Sequence, residues 1–146
     1  MSKLKKKFEH KPEYNFDLVL DATEFYDTDN PAGHIGTHVE IIENMIEKPE
    51  FHTWLLGFLK YYGHVDKDKP VVRVLVLCPR GTKRSVACAE MLKYIVQEKG
   101  MLCDTPIKHL SIANWEGHCR LCSACGDPQS QPRRKEVLEK TLQLVP

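Results

Sequence analysis

The stretch "LVLCPRGTKRSVACAEML", residues 75–92, runs an apolar segment into a cysteine, then a basic loop, then a helix-forming run. It is the carboxyl end of a longer β-branched segment, "VVRVLVL" at 71–77, bounded by Pro70 and Cys78, which reads as a buried strand. Beyond the loop, Ser85 is placed to cap a helix with Cys88, Ala89, Leu92, Ile95 and Val96 on one side and Glu90, Lys93 and Gln97 on the other, ending at Gly100. A strand, a glycine-containing turn and a helix start in immediate succession define a strand-to-helix unit, and the rest of the chain extends it.

Working towards the N-terminus, "FDLVL" at 16–20 is a second short apolar run, ending at Asp21. Between the two runs, Thr37 and Glu40 have capping-box spacing ahead of a stripe of Val39, Ile42, Met45 and Ile46. A second helix starts near Pro49, a residue suited to the first helical position, carries Phe51, Leu55, Phe58, Leu59 and Tyr62, and stops at Gly63. That aromatic stripe is assigned to packing. Towards the C-terminus, "PIKHLSI" at 106–112 reads as a third strand, residues from 113 lose periodicity, and a short helix is expected over 133–143. Strands separated by helices imply an α/β fold with a small parallel or mostly parallel sheet flanked by helices, followed by an irregular Cys-rich C-terminal segment. In such sheets ligands gather beyond the carboxyl ends of the strands, where Asp21 and Cys78 both lie.

The loop has a definite chemistry. A tight turn that opens a helix aims backbone N–H groups and the positive helix end at one spot, which favours an anion. Arg84 adds a guanidinium fork matched to two phosphate oxygens, and Arg80 and Lys83 add looser charge around Gly81 and Thr82. The bland alternative is an ordinary strand-to-helix turn with scattered bases. Cys78, Gly81, Arg84 and Ser85 also fit C-x-x-G-x-x-R-S. In cysteine-based phosphatases such a loop holds the phosphoryl oxygens while the thiolate attacks phosphorus. Yet Leu77 stands where those enzymes usually carry histidine, Pro79 removes an amide, and Asp21, Asp66, Asp68 and Asp127 are all candidates for the general acid without one being singled out.

Taken together, "LVLCPRGTKRSV", the upstream "FDLVLDATEF", the "EKPEFHTWLLGFL" segment and the downstream "IKHLS" resemble the C-terminal domain of the RapZ family over residues 16–112. The specific part of this resemblance is the loop, which in that family reads C-T-G-G-x-H-R-S-V. The resemblance implies a non-catalytic domain that binds an amino-sugar phosphate at the loop, binds small regulatory RNA and forms an oligomer. It implies Cys78, Gly81, Arg84 and Ser85 as binding residues, Asp21 at the pocket edge and His109 as the histidine of the closing strand. The chain departs from the family at Pro79-Arg80 for Thr-Gly, at Lys83 for His, and at Ala32 after Asn30-Pro31, where the family has a ligand-binding histidine; His34 could stand in by a two-residue shift, but a solvent-exposed loop histidine describes it more simply. No G-x-x-x-x-G-K-[ST] occurs, so nucleotide hydrolysis is not expected of these residues.

Four of the six cysteines remain to be accounted for, with Cys119, Cys122 and Cys125 in "GHCRLCSACG" at two-residue gaps. Three such thiolates can chelate one structural zinc if Cys103 or His109 supplies the fourth ligand; simple reduced surface cysteines are the competing reading. An iron–sulfur run would want a further cysteine three residues on, where none stands. No other cofactor is implied.

The formal net charge is +1, from 21 basic and 20 acidic residues, so any nucleic-acid binding would come from local patches. Lys3, Lys5, Lys6, Lys7 and Lys11 form one cluster and Arg133, Arg134 and Lys135 another. A solvated tail and a charged helix start describe them more simply than RNA patches or a nuclear signal. No long apolar run and no secretory pattern follows the lysines, which gives an expectation of a cytoplasmic protein without membrane contact. The expected organisation is a basic tail at 1–13, an α/β domain at 14–112 and a Cys-rich loop with a short helix at 113–146. Three functions are weighed: a sensor or binding domain for a phosphorylated small molecule, a cysteine phosphatase, and a zinc-stabilised interaction module for protein or RNA.

Overall fold

The computed structural model describes residues 16–22, 34–64, 71–78, 84–99, 106–109 and 127–146. Two strands, β1 (Leu18–Asp21) and β2 (Val74–Leu77), pair in parallel, with Leu18 opposite Val74 and Asp21 opposite Leu77. Helices α1 (Val39–Ile46) and α2 (Pro49–Tyr62) lie between them in sequence, α3 (Arg84–Glu98) follows β2, and α4 (Arg134–Leu142) follows a short 3-10 turn at Pro128–Ser130. The α/β expectation holds. At the entry to the sheet, the Asp17 carboxylate accepts from the Arg73 amide at 2.7 Å, while the Asp17 amide donates to the Arg73 carbonyl at 2.8 Å. This clamp fixes the register from which Asp21 and Cys78 emerge side by side.

The helix starts and stops have identifiable causes. Pro49 opens α2, and the amide of Gly63 closes it by donating to the carbonyl of Leu59 at 3.1 Å, as the sequence indicates. The start of α1 differs from expectation: His38 is the cap, its Nδ1 accepting from the Glu40 amide at 3.0 Å. Thr37, assigned that task from the capping-box spacing, is buried, and its hydroxyl has no hydrogen-bond partner among the described residues. Ser85 is likewise not a cap, since α3 begins one residue earlier and Ser85 sits inside its first turn.

One core joins all four helices to the sheet. Phe51, Ile41, Ile42, Met45, Leu55, Met91, Ile95 and Val137 are fully buried, and side chains of this size contribute about 1.5–3 kcal/mol each on burial. The apolar stripe of α1 extends to Ile41, that of α2 includes Trp54, and on α3 Ala87 is buried where Ala89 was expected. The Trp54 indole N–H donates to the backbone carbonyl of Asp21 at 3.0 Å, fastening α2 to the carboxyl end of β1. Helix α4 lays Val137, Leu138 and Thr141 into the same core, packing on α1 and α3. Arg133, the residue before α4, and Lys140 within it both reach the Glu43 carboxylate on α1.

The expected third strand is corrected in part. Residues 106–109 carry no ladder, so the described sheet has two strands, and 110–112 lie outside the described residues. Among the described residues no helix is long and apolar enough to cross a membrane.

Candidate functional site

The site is built at the carboxyl edge of the sheet. Because Asp21 pairs with Leu77, the residues leaving the two strands are adjacent: Asp21 ends β1 and Cys78 follows β2. Both are buried, at 6% and 8% exposure. The first turn of α3 meets this edge. The Ser85 backbone N–H donates to Cys78 Sγ at 3.4 Å, and Ser85 Oγ lies 3.2 Å from the same sulfur. One of the amides that a helix start leaves without an intrahelical acceptor is therefore directed at sulfur. A hydroxyl can accept from a thiol or, on rotation, donate to a thiolate, so this contact suits either state of Cys78.

Arg84 opens α3 beside this pair. Cys88 follows one turn after Ser85 on the same helix face. Its thiol is pushed well above the usual range by burial and by the neighbouring Cys78, and Arg84 acts in the opposite direction. Cys88 is thus a neutral packing thiol, which fits its place on the apolar side of the helix and leaves Cys78 as the sulfur with polar contacts.

Of the residues singled out in the sequence, Asp21, Cys78, Arg84 and Ser85 lie among those described, and the register and the Ser85 contacts gather Asp21, Cys78 and Ser85 at one sheet edge, with Arg84 adjoining. Arg80, Gly81, Thr82 and Lys83 lie outside the described residues, as do Cys103, Cys119, Cys122 and Cys125. Among the described residues there is no group of three or more metal-ligating side chains.

His109 has a different setting. Its Nε2 lies 3.4 Å from Oε1 of Glu90 on α3, and the other carboxylate oxygen accepts from Arg134 Nη2 at 3.0 Å. Glu90 is six residues beyond Arg84, about 9 Å along the helix axis at 1.5 Å per residue. His109 therefore belongs to a Glu90–Arg134 cluster along α3 and is not brought to the Cys78–Ser85 pair. Burial alone would push the Glu90 carboxyl up, but the hydrogen bond to His109 and the charge of Arg134 outweigh it and hold the group below the ordinary range.

A histidine pair stands at the start of α1. His34 and His38 rings have centroids 4.2 Å apart, and burial, with a smaller contribution from His34, lowers the His38 pKa against the opposing pull of Glu40. His38 is accordingly neutral when it caps the helix. Sequence reading considered His34 and passed over His38, because histidine is not among the favoured capping residues.

No protein-family model, curated protein or solved structure matches the chain.

Proposed function

We propose that this protein is a binding domain for a phosphorylated small molecule, held at the Cys78–Ser85 loop and the N-terminal turn of α3. The observation that carries the reading is the convergence of the Ser85 amide and hydroxyl on Cys78 Sγ at the carboxyl end of a parallel sheet. A helix start in that place offers amide donors and positive potential to an anion, and Arg84 stands there to add a charge-assisted contact. The resemblance to the RapZ C-terminal domain points to an amino-sugar phosphate as the ligand.

Binding requires less of the site than hydrolysis. A phosphatase needs a placed acid for the leaving oxygen and a ring of amides for transition-state charge. Asp21 is the carboxylate at this edge, and Pro79 takes one amide from the loop. Direct readout comes from calorimetry of the full chain against a panel of sugar phosphates. Arg84→Ala should weaken the best ligand by about 2 kcal/mol or more. Cys78→Ser should leave affinity within roughly 1 kcal/mol, because the charged contacts persist.

A second reading, a cysteine-dependent phosphatase, is favoured by the same two contacts from Ser85, since both can donate to a thiolate at Cys78. Multiple turnovers on an aryl phosphate by the unaltered protein, lost in Cys78→Ser, would establish it over the first.

A further inference from the structure

On the opposite side of α3 from the Cys78–Ser85 pair lies a cleft of about 300 Å³ between this helix and the C-terminal segment. Glu90, Lys93, Tyr94 and Gln97 line it from α3, and their i, i+3, i+4, i+7 spacing makes them one face of the helix. The core residues Ser85, Cys88, Leu92 and Ile95 occupy the other face at 100° per residue. From the C-terminal segment come Arg134 and Lys135 at the start of α4.

Arg134 is the informative member. The residue is only 8% exposed, so a cation has been taken out of water. Its Nη2 is used by Glu90 at 3.0 Å, but its Nη1 is buried and has no hydrogen-bond partner among the described residues. Leaving a buried charged donor unmatched is costly, and native structures seldom do so without a ligand or water to receive it. The charges around it agree in sign. Lys93, Arg134 and Lys135 face the single carboxylate of Glu90, which is already shared between Arg134 and His109.

We propose that this cleft binds a small oxyanion-bearing molecule, a carboxylate or a phosphate, held by the charge of the Arg134 guanidinium with Lys93 and Lys135 beside it. The volume is at the lower end for ligand pockets, which suits a compact ligand. Gln129 and Gln131 supply amides for its uncharged polar part. This site is independent of the loop at Cys78, since the two lie on opposite faces of one helix.

The test is a titration of the full ¹⁵N-labelled chain with inorganic phosphate and, separately, with succinate, each against chloride at equal ionic strength. Saturable shifts are expected at the amides of Glu90–Gln97 and Gln129–Lys135. Saturation by phosphate alone identifies the phosphate class, by succinate alone the carboxylate class, and by both the shared oxyanion chemistry. Arg134→Gln also removes the partner of Glu90, so the deciding variant is Lys93→Gln/Lys135→Gln, which changes two residues outside the core. It should weaken binding at the cleft at least about tenfold while leaving any response at Ser85 unchanged. No saturation by either anion into the millimolar range, or shifts unaltered in the double variant, would overturn the proposal.

Discussion

Glu90→Gln isolates the contribution of a mostly buried ion cluster to stability. The Glu90 and Arg134 side chains are 12% and 9% exposed, and Glu90 uses one carboxylate oxygen for Arg134 at 3.0 Å and the other for His109 at 3.4 Å. Glutamine keeps the shape and loses the charge, so the Arg134 guanidinium remains in its low-dielectric setting with only an amide oxygen opposite. Breaking a fully buried pair from one side costs about 3–5 kcal/mol. The residual solvent contact lowers the expectation to about 2–4 kcal/mol. For a chain of this length that corresponds to a fall in melting temperature of roughly 5–15 °C. Urea unfolding at neutral pH measures it, with Glu139→Gln on the exposed side of α4 as a control expected within about 0.5 kcal/mol. The pH dependence follows from the depressed carboxyl of Glu90. A carboxylate whose folded pKa lies below its unfolded value contributes stability above the unfolded value, about 4.3, and loses it as pH falls through the folded one. The difference between the unaltered chain and Glu90→Gln should therefore shrink on acidification below that point. A Glu90→Gln chain no less stable than the Glu139→Gln control would refute the argument. Replacing both partners, as Glu90→Leu/Arg134→Met, should recover much of the loss, because no buried charge is then left alone.

Other outcomes follow from the same contacts. Glu43→Gln should cost less than about 1 kcal/mol in urea, because its partners Arg133 and Lys140 are about half exposed. Trp54→Phe removes the donor to the Asp21 carbonyl together with one ring of a buried side chain, so roughly 2 kcal/mol should be lost, and an unchanged urea midpoint would show that neither the bond nor the packing there stabilises the fold. His38 must be neutral at Nδ1 to accept from Glu40, and its folded pKa is lowered, so the stability it contributes is complete above its unfolded value of about 6.5 and is lost as pH falls from there through the folded value. His38→Asn keeps a capping oxygen without a titrating ring, and its stability curve should be flatter than that of the unaltered chain between neutral pH and about pH 5.

The fold was legible where local signals act alone. "FDLVL" and "VVRVLVL" are β-branched or leucine-rich runs followed by polar residues; the second contains β2, and the first covers β1 except for its last residue, Asp21. Pro49 and Gly63 bracket α2 because their effects need no distant partner. Over its described residues, 106–109, the expected third strand is missing for a related reason. Residues 106–109 do alternate between exposed and half-buried positions, the period of a strand, but a strand also needs a ladder partner, and Pro106 cannot donate to one. The side chain of His109 instead faces Glu90. Alternation in sequence reports an extended backbone against a surface, whether or not a sheet edge is there to receive it.

The candidate site divides in the same way. Cys78 and Ser85 are seven residues apart within one strand-to-helix turn, so the motif spacing alone places the sulfur at the helix start, and the contacts at 3.2 and 3.4 Å follow from that turn. Arg134 and Glu90 are 44 residues apart on different helices, and no local period links them. The hydrophobic stripe of α3 marks Glu90, Lys93 and Gln97 as solvent-facing because it recognises only the apolar core, whereas α4 brings Arg134 and Leu138 against part of that polar face. A basic triplet at 133–135 reads in sequence as a solvated helix start or a nucleic-acid patch. Once folded, Arg133 is paired with Glu43 and Arg134 with Glu90, leaving Lys135 exposed at the rim of the cleft. The unmatched Nη1 of Arg134 is what that arrangement leaves over: two carboxylates are matched to two guanidinium groups, and one buried amino group is directed to neither, the unbalanced charge that motivates the ligand proposal for this cleft.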